Sequence, residues 1–130
     1  MLTGFRTYEL SMELYQKCEK LSLKYYLKDQ LLRASLSVVL NIVEGSAKCS
    51  LKDRRRFYNI ALASLRETQV LLQLTKRQEE FKIADQLGAC LYRLIYPKLD
   101  PVSGPESSES GPEHSHQPAR LRYTEIITYN

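Results

Sequence analysis

The residues best equipped for chemistry are few, and their spacing serves it badly. His114 and His116 form an H-x-H pair in a Pro/Ser/Glu/Gly-rich stretch, where no scaffold holds a catalytic geometry and two ligands grip a metal only weakly. Cys18, Cys49 and Cys90 are odd in number and widely spaced, which suits neither a disulfide framework nor a CxxC metal site; they read as buried or incidental thiols of a reducing compartment. No glycine-rich phosphate loop, nucleophile elbow or Cys/His pairing stands in residues 1–100. The carboxylates have no sequence-visible reason to be perturbed. The expectation is a protein that is not an enzyme and has no cofactor and no metal.

Charge is the chemistry that remains. The formal charge is +4 over 130 residues, and it is uneven. Residues 101–130 hold Glu106, Glu109, Glu113 and Glu125 against Arg120 and Arg122, a net −2, which leaves +6 on residues 1–100. Lys48, Lys52, Arg54, Arg55 and Arg56 crowd one short run, answered within it only by Asp53. If a helix starts there, its dipole is positive and each cation costs roughly a few tenths of a kcal/mol, so stability alone does not explain them. Eleven residues make nearly three turns, so Arg55, Arg66 and Arg77 fall on one line with steps of ~16 Å, flanked by Lys52, Asn59 and Gln73. Two readings of this stripe compete: an ordinary solvated face, or a surface that neutralises phosphates without reading sequence. The second makes Lys48, Lys52, Arg54, Arg55, Arg66 and Arg77 the candidate nucleic-acid-binding residues.

The elements that would position them are helices. Leu10, Leu14, Cys18 and Leu21 recur at helical spacing and predict a first helix over residues 6–24, with Tyr25-Tyr26 marking the break. Leu31, Ser35, Val38, Val39 and Ile42 share one side of a second, with Leu32, Leu36 and Val43 beside them and Gly45 as a C′ residue able to take positive φ. Ser50 and Asp53 form a capping box that makes Leu51 the first residue of a third helix. With no Gly or Pro to stop it, that helix is expected to run to about Arg77. Gln78-Glu79-Glu80 turns the chain, and Ile83, Leu87, Cys90, Leu91 and Leu94 define a fourth helix that Pro97 ends. The fold class that follows is all-α, an antiparallel up-down-up-down four-helix bundle over residues 1–100.

Reading the third helix by faces gives a core side of Phe57, Ile60, Ala61, Ser64, Thr68 and Leu71, and a second apolar shoulder of Tyr58, Leu62, Leu65 and Leu72. A helix with two apolar sides is buried on both or used in self-association, and the shoulder is assigned here to an oligomer contact. On the second helix, Gln30, Arg33, Ser37, Asn41 and Glu44 cluster opposite the apolar face. Glu67 on the third helix is the natural partner for Arg33. Arg33, Asn41, Glu44 and Glu67 are therefore expected to form a structural polar network.

Beyond Asp100, residues 101–118 are expected to be a disordered linker, and residues 119–130 a tail whose Leu121, Tyr123, Ile126, Ile127 and Tyr129 make a short β-prone docking segment or a frayed end. There is no run of 18 apolar residues and no secretory pattern over residues 1–9, so the expected location is the cytoplasm, with no membrane contact.

The runs Asp29-Gln30-Leu31-Leu32-Arg33-Ala34-Ser35, Asn41-Ile42-Val43-Glu44-Gly45, Arg56-Phe57-Tyr58 and Ser64-Leu65-Arg66-Glu67, with Phe5-Arg6 and Asp53, resemble the bacterial four-helix bundle family encoded in intervening sequences of large-subunit ribosomal RNA genes. That family is similar to the accessory variability determinant proteins of diversity-generating retroelements. The resemblance covers roughly residues 5–99. The retroelement branch would imply a homopentamer that binds a reverse transcriptase and RNA or DNA and assists cDNA synthesis without catalysing it; the runs 27–33 and 52–58 look closer to that branch. The alternative is a structural, self-assembling bundle with no dedicated nucleic-acid role. Two departures stand out: Val39-Leu40 where many relatives carry a proline, which implies a straighter second helix, and a C-terminal segment from Pro101 that matches no pattern of the family.

Overall fold

A serine that accepts a backbone hydrogen bond starts the longest helix. In the computed structural model, which describes residues 5–97, Ser50 has extended backbone and its Oγ accepts from the amide of Asp53 at 3.1 Å. Helix α3, Leu51–Leu74, begins one residue later, where the capping box places it. Before it come α1, Arg6–Glu19, and α2, Tyr25–Ser46; after it comes α4, Gln78–Ile95. Each helix packs on its neighbour in sequence, α4 returns to α1, and α2 with α3 share the most extensive of the four interfaces. The described residues contain no strand. The helices belong to one unit, Met1–Ile95, and the remainder, Tyr96–Asn130, falls to a second, of which Tyr96 and Pro97 are described. The linker expected over residues 101–118 and the tail over 119–130 lie outside the described residues, as do His114 and His116.

Leu10, Leu14 and Cys18 from α1, Leu31, Val38 and Ile42 from α2, Leu65 and Leu72 from α3, and Leu87, Leu91 and Ile95 from α4 are buried together as the core. On α1, α2 and α4 this follows the helical period. On α3 it follows the expected face only in part, through Ala61, Thr68 and Leu71. Tyr58, Leu62, Leu65 and Leu72 are buried inside the bundle, so they are core residues and not an association surface. Ile60, assigned to the core side, is exposed. The buried face is turned by about a quarter of a revolution because α3 packs against both α2 and α4, and the residues between those two contacts are the most deeply enclosed.

Four local expectations are corrected. α1 stops at Glu19, and Tyr25-Tyr26, expected as a break, opens α2. Lys28 explains the short α1, since its Nζ donates to the carbonyls of Glu19 at 2.7 Å and Leu21 at 2.6 Å, taking up acceptors that a longer helix would use. Gln78-Glu79-Glu80 is the first turn of α4, where its carboxylates complement the helix dipole. Gly45 is helical with negative φ and lies within α2. What it supplies is space: a Cβ built there would stand 2.7 Å from Cε1 and 2.9 Å from Cδ1 of Tyr58, and 3.2 Å from Cβ of Phe57.

α3 ends at Leu74, three residues short of Arg77. Lys76 takes φ 59°, its amide bonds the carbonyl of Gln73 at 3.1 Å, and the amide of Arg77 reaches Leu72 at 2.9 Å. This is a Schellman motif with lysine at the position glycine usually fills, which is why no glycine announced the end.

Candidate nucleic-acid interface

The α2–α3 connection gathers cations because it is short. Only residues 47–50 separate the two helices, so Lys48 in the connection and Lys52, Arg54, Arg55 and Arg56 in the first turns of α3 share one corner. Glu44 and Asp53 are the only acids among residues 44–56, which leaves a net +3. Lys52, Arg54 and Arg56 are exposed; Lys48 and Arg55 are half-buried.

Several of these side chains are held in place. Arg54 donates from Nε to the Lys48 carbonyl at 2.7 Å, folding the guanidinium back over the connection. Lys48 pairs with Glu44 at 3.2 Å, an exposed contact that contributes little to stability. The Phe57 ring lies under two cations, Lys48 Nζ at 5.2 Å from its centroid and Arg56 Cζ at 4.6 Å. Arg55 Nε is buried without a hydrogen-bond partner, and Asn59 Nδ2 donates to the Arg55 carbonyl at 3.0 Å. The corner is thus a partly ordered cationic surface around one aromatic ring.

The expected stripe does not extend down the helix as a line of three. Arg66 is exposed on α3, ~16 Å along the axis from Arg55. Arg77 lies beyond the end of α3, at the opposite end of the bundle, where its Nη2 donates to the Ser22 carbonyl at 2.8 Å. Lys48, Lys52, Arg54 and Arg55 come together, Arg66 stands apart, and Arg77 is removed from the group. Arg56, over Phe57, belongs at the corner although it is not among the candidate residues named from the sequence.

The polar network joins α2 to α3 with different partners from those expected. Arg33 pairs with Asp29 on its own helix at 3.1 Å, a neighbour one turn away, and not with Glu67. Glu67 instead accepts from Gln30 Nε2. Ser37 and Ser64 share a hydrogen bond at 2.8 Å across the helix pair, and Asn41 Nδ2 donates to the Ser37 carbonyl at 2.8 Å and its hydroxyl at 3.2 Å. Glu44 is committed to Lys48, outside this seam.

Titration shifts lie away from the corner, with one exception. Burial raises the Tyr58 hydroxyl beneath it, against an opposing effect of Arg54. Burial pushes the Cys18 thiol up to about 12, reinforced by Glu80, and burial alone raises Asp85. Tyr15 is raised by burial and by neighbouring Glu19. Among the described residues no cluster of three or more His, Cys, Asp or Glu is placed to hold a metal ion, and no helix is long and apolar enough to cross a membrane.

Residues 5–90 match the 23S rRNA-intervening sequence protein family. This chain belongs to that family. The match spans α1 to α3 and most of α4, so the cationic corner and the α2–α3 seam both lie within the matched residues. No curated protein and no solved structure matches the chain.

Proposed function

We propose that this intervening-sequence family protein is a non-enzymatic nucleic-acid-binding accessory protein whose α2–α3 corner contacts the phosphate backbone of RNA or DNA. The observation that carries the reading is the five cations within residues 48–56, set at a helix start where the dipole opposes them, with three of them exposed. Guanidinium and ammonium groups held at such a corner neutralise phosphates and release counterions, and they read no sequence. Service to a diversity-generating retroelement, with a reverse transcriptase and template RNA as partners, rests on the resemblance of residues 27–33 and 52–58 to that branch. Self-association is part of the proposal. Its contact moves from the buried Tyr58 group to exposed apolar residues of α2 and α3, chiefly Leu36, Leu40 and Ile60, and the number five comes from family resemblance.

The test is RNA affinity measured against salt. Five phosphate contacts predict a slope of log K on log salt of about −3.5 for single strands and about −4.5 for duplex. Lys52→Gln with Arg56→Gln should flatten it by about 1.4 to 1.8 and weaken binding evenly across sequences. Weak binding that ignores salt overturns the reading and leaves the structural, self-assembling bundle in its place; a gene lying inside a ribosomal RNA insertion, with no reverse transcriptase beside it, would point the same way.

A further inference from the structure

We propose that the α1–α2 corner is a second contact, a stacking site for single-stranded nucleic acid with Tyr25 and Tyr26 as its platforms. Tyr25 is 84% exposed and Tyr26 62%, the one almost bare and the other mostly so. An aromatic ring left in water forgoes the burial that usually justifies it. The backbone beneath them is pinned: Lys28 Nζ holds the carbonyls of Glu19 and Leu21, and Arg77 Nη2 holds that of Ser22. The rings therefore stand on a fixed base. Successive helical residues point about 100° apart, so each ring serves a different base.

Cations frame the pair. Lys20 and Lys24 are exposed just before it, Lys17 lies one turn earlier, and the Arg77 bond brings Lys76 to the same end. The acids there are Glu19, Asp29, Glu79 and Glu80, of which Asp29 is engaged by Arg33. Lysines beside exposed rings fit a strand whose phosphates they neutralise while its bases stack on the tyrosines. A duplex offers no free base faces except at its ends, so the ligand class is the single strand. The site lies roughly one length of α3, about 36 Å, from the basic corner. It rests on the reading that the chain binds nucleic acid, but uses different residues and a different form of the ligand.

The experiment measures binding of the full chain to an unstructured fluorescein-labelled oligouridylate and to a blunt RNA duplex. Tyr25→Ala with Tyr26→Ala should weaken oligouridylate binding at least about thirtyfold and leave duplex binding within about twofold, whereas Tyr25→Phe with Tyr26→Phe retains both. Lys52→Gln with Arg56→Gln should weaken both ligands. Unchanged oligouridylate affinity in the alanine pair, an equal loss on duplex, or a loss as large in the phenylalanine pair each overturns the site. So does a change of assembly mass in the alanine pair with RNA binding intact, which assigns the rings to a protein contact. Wild-type chain that binds duplex but not oligouridylate overturns this site alone; wild-type chain that binds neither overturns the proposed function as well.

Discussion

Replacing Gly45 by alanine sets two forces of known sign against each other. Alanine is the better helix former, by about 1 kcal/mol, and an exposed helical glycine would gain that much. Gly45 is buried, however, and the new methyl would meet the Tyr58 ring at 2.7 and 2.9 Å and the Phe57 Cβ at 3.2 Å. Carbon atoms settle at about 3.5 to 4.0 Å, so the ring must retreat by ~1 Å. Tyr58 is only 6% exposed and Phe57 Cβ is fixed to the backbone of α3, so neither yields cheaply. Overpacking of this kind costs about 1–3 kcal/mol. The balance is a net loss of about 1 kcal/mol, or about 4–8 °C in Tm for a unit of this size. Urea and thermal unfolding of Gly45→Ala measure it. The decisive comparison is the same substitution in a Tyr58→Leu background, where the ring is gone and the 3.2 Å contact with the Phe57 Cβ remains, so the propensity gain and the residual crowding should nearly cancel. The coupling between the two sites is then about 1 kcal/mol. A Gly45→Ala variant that melts above wild type, or two substitutions that simply add, would refute the close-packing account of Gly45.

Three further outcomes follow from single residues. Lys76→Gly should raise stability by about 1 kcal/mol in urea with an unchanged m value, because it relieves a left-handed conformation that costs an L-residue about that much. Lys76→Ala should not. Burial raises the Asp85 carboxyl above its ordinary 3.8, so the folded state holds that proton more tightly than the unfolded chain does. Its favourable contribution is complete below 3.8 and is lost as pH rises through the raised value. Asp85→Asn should accordingly stabilise at pH 7 and lose that advantage near pH 3; an equal gain at both would remove burial as the cause. In thiol labelling at neutral pH, exposed Cys49 should react promptly, while Cys18, buried and pushed up to about 12, should react only as fast as the unit unfolds.

What could be read from the sequence was what adjacent residues decide. The Ser50–Asp53 cap located the start of α3 because both partners of its hydrogen bond lie within four residues. The cationic corner was visible for the same reason. Features that depend on a neighbouring helix were misread. Gly45 drew notice as a special position, but its reason is the Tyr58 ring on α3, which spacing along α2 does not reveal. The Tyr58, Leu62, Leu65 and Leu72 row looked like a surplus apolar face until both α2 and α4 were placed against α3. Arg33 took Asp29 over Glu67 because a carboxylate one turn away needs no second helix to be in register. Tyr25 and Tyr26 were passed over as a helix break, though an adjacent aromatic pair among lysines was a signal in itself. The end of α3 escaped because a lysine stands where the C-cap usually advertises itself with glycine.

The seam between α2 and α3 bears on how the chain finds its fold. Two helices that met only through leucines could slide past each other by one turn, about 5.4 Å, and still bury comparable apolar area. Ser37 opposite Ser64 and Gln30 opposite Glu67 penalise that slip, since a displaced α3 would strand the half-buried serine hydroxyls beside apolar neighbours. Gly45 beneath Tyr58 acts as a third pin, because only one alignment presents the gap to the ring. With a four-residue connection the pair closes its loop at little entropic cost, so the aligned hairpin is a template on which α1 and α4 assemble.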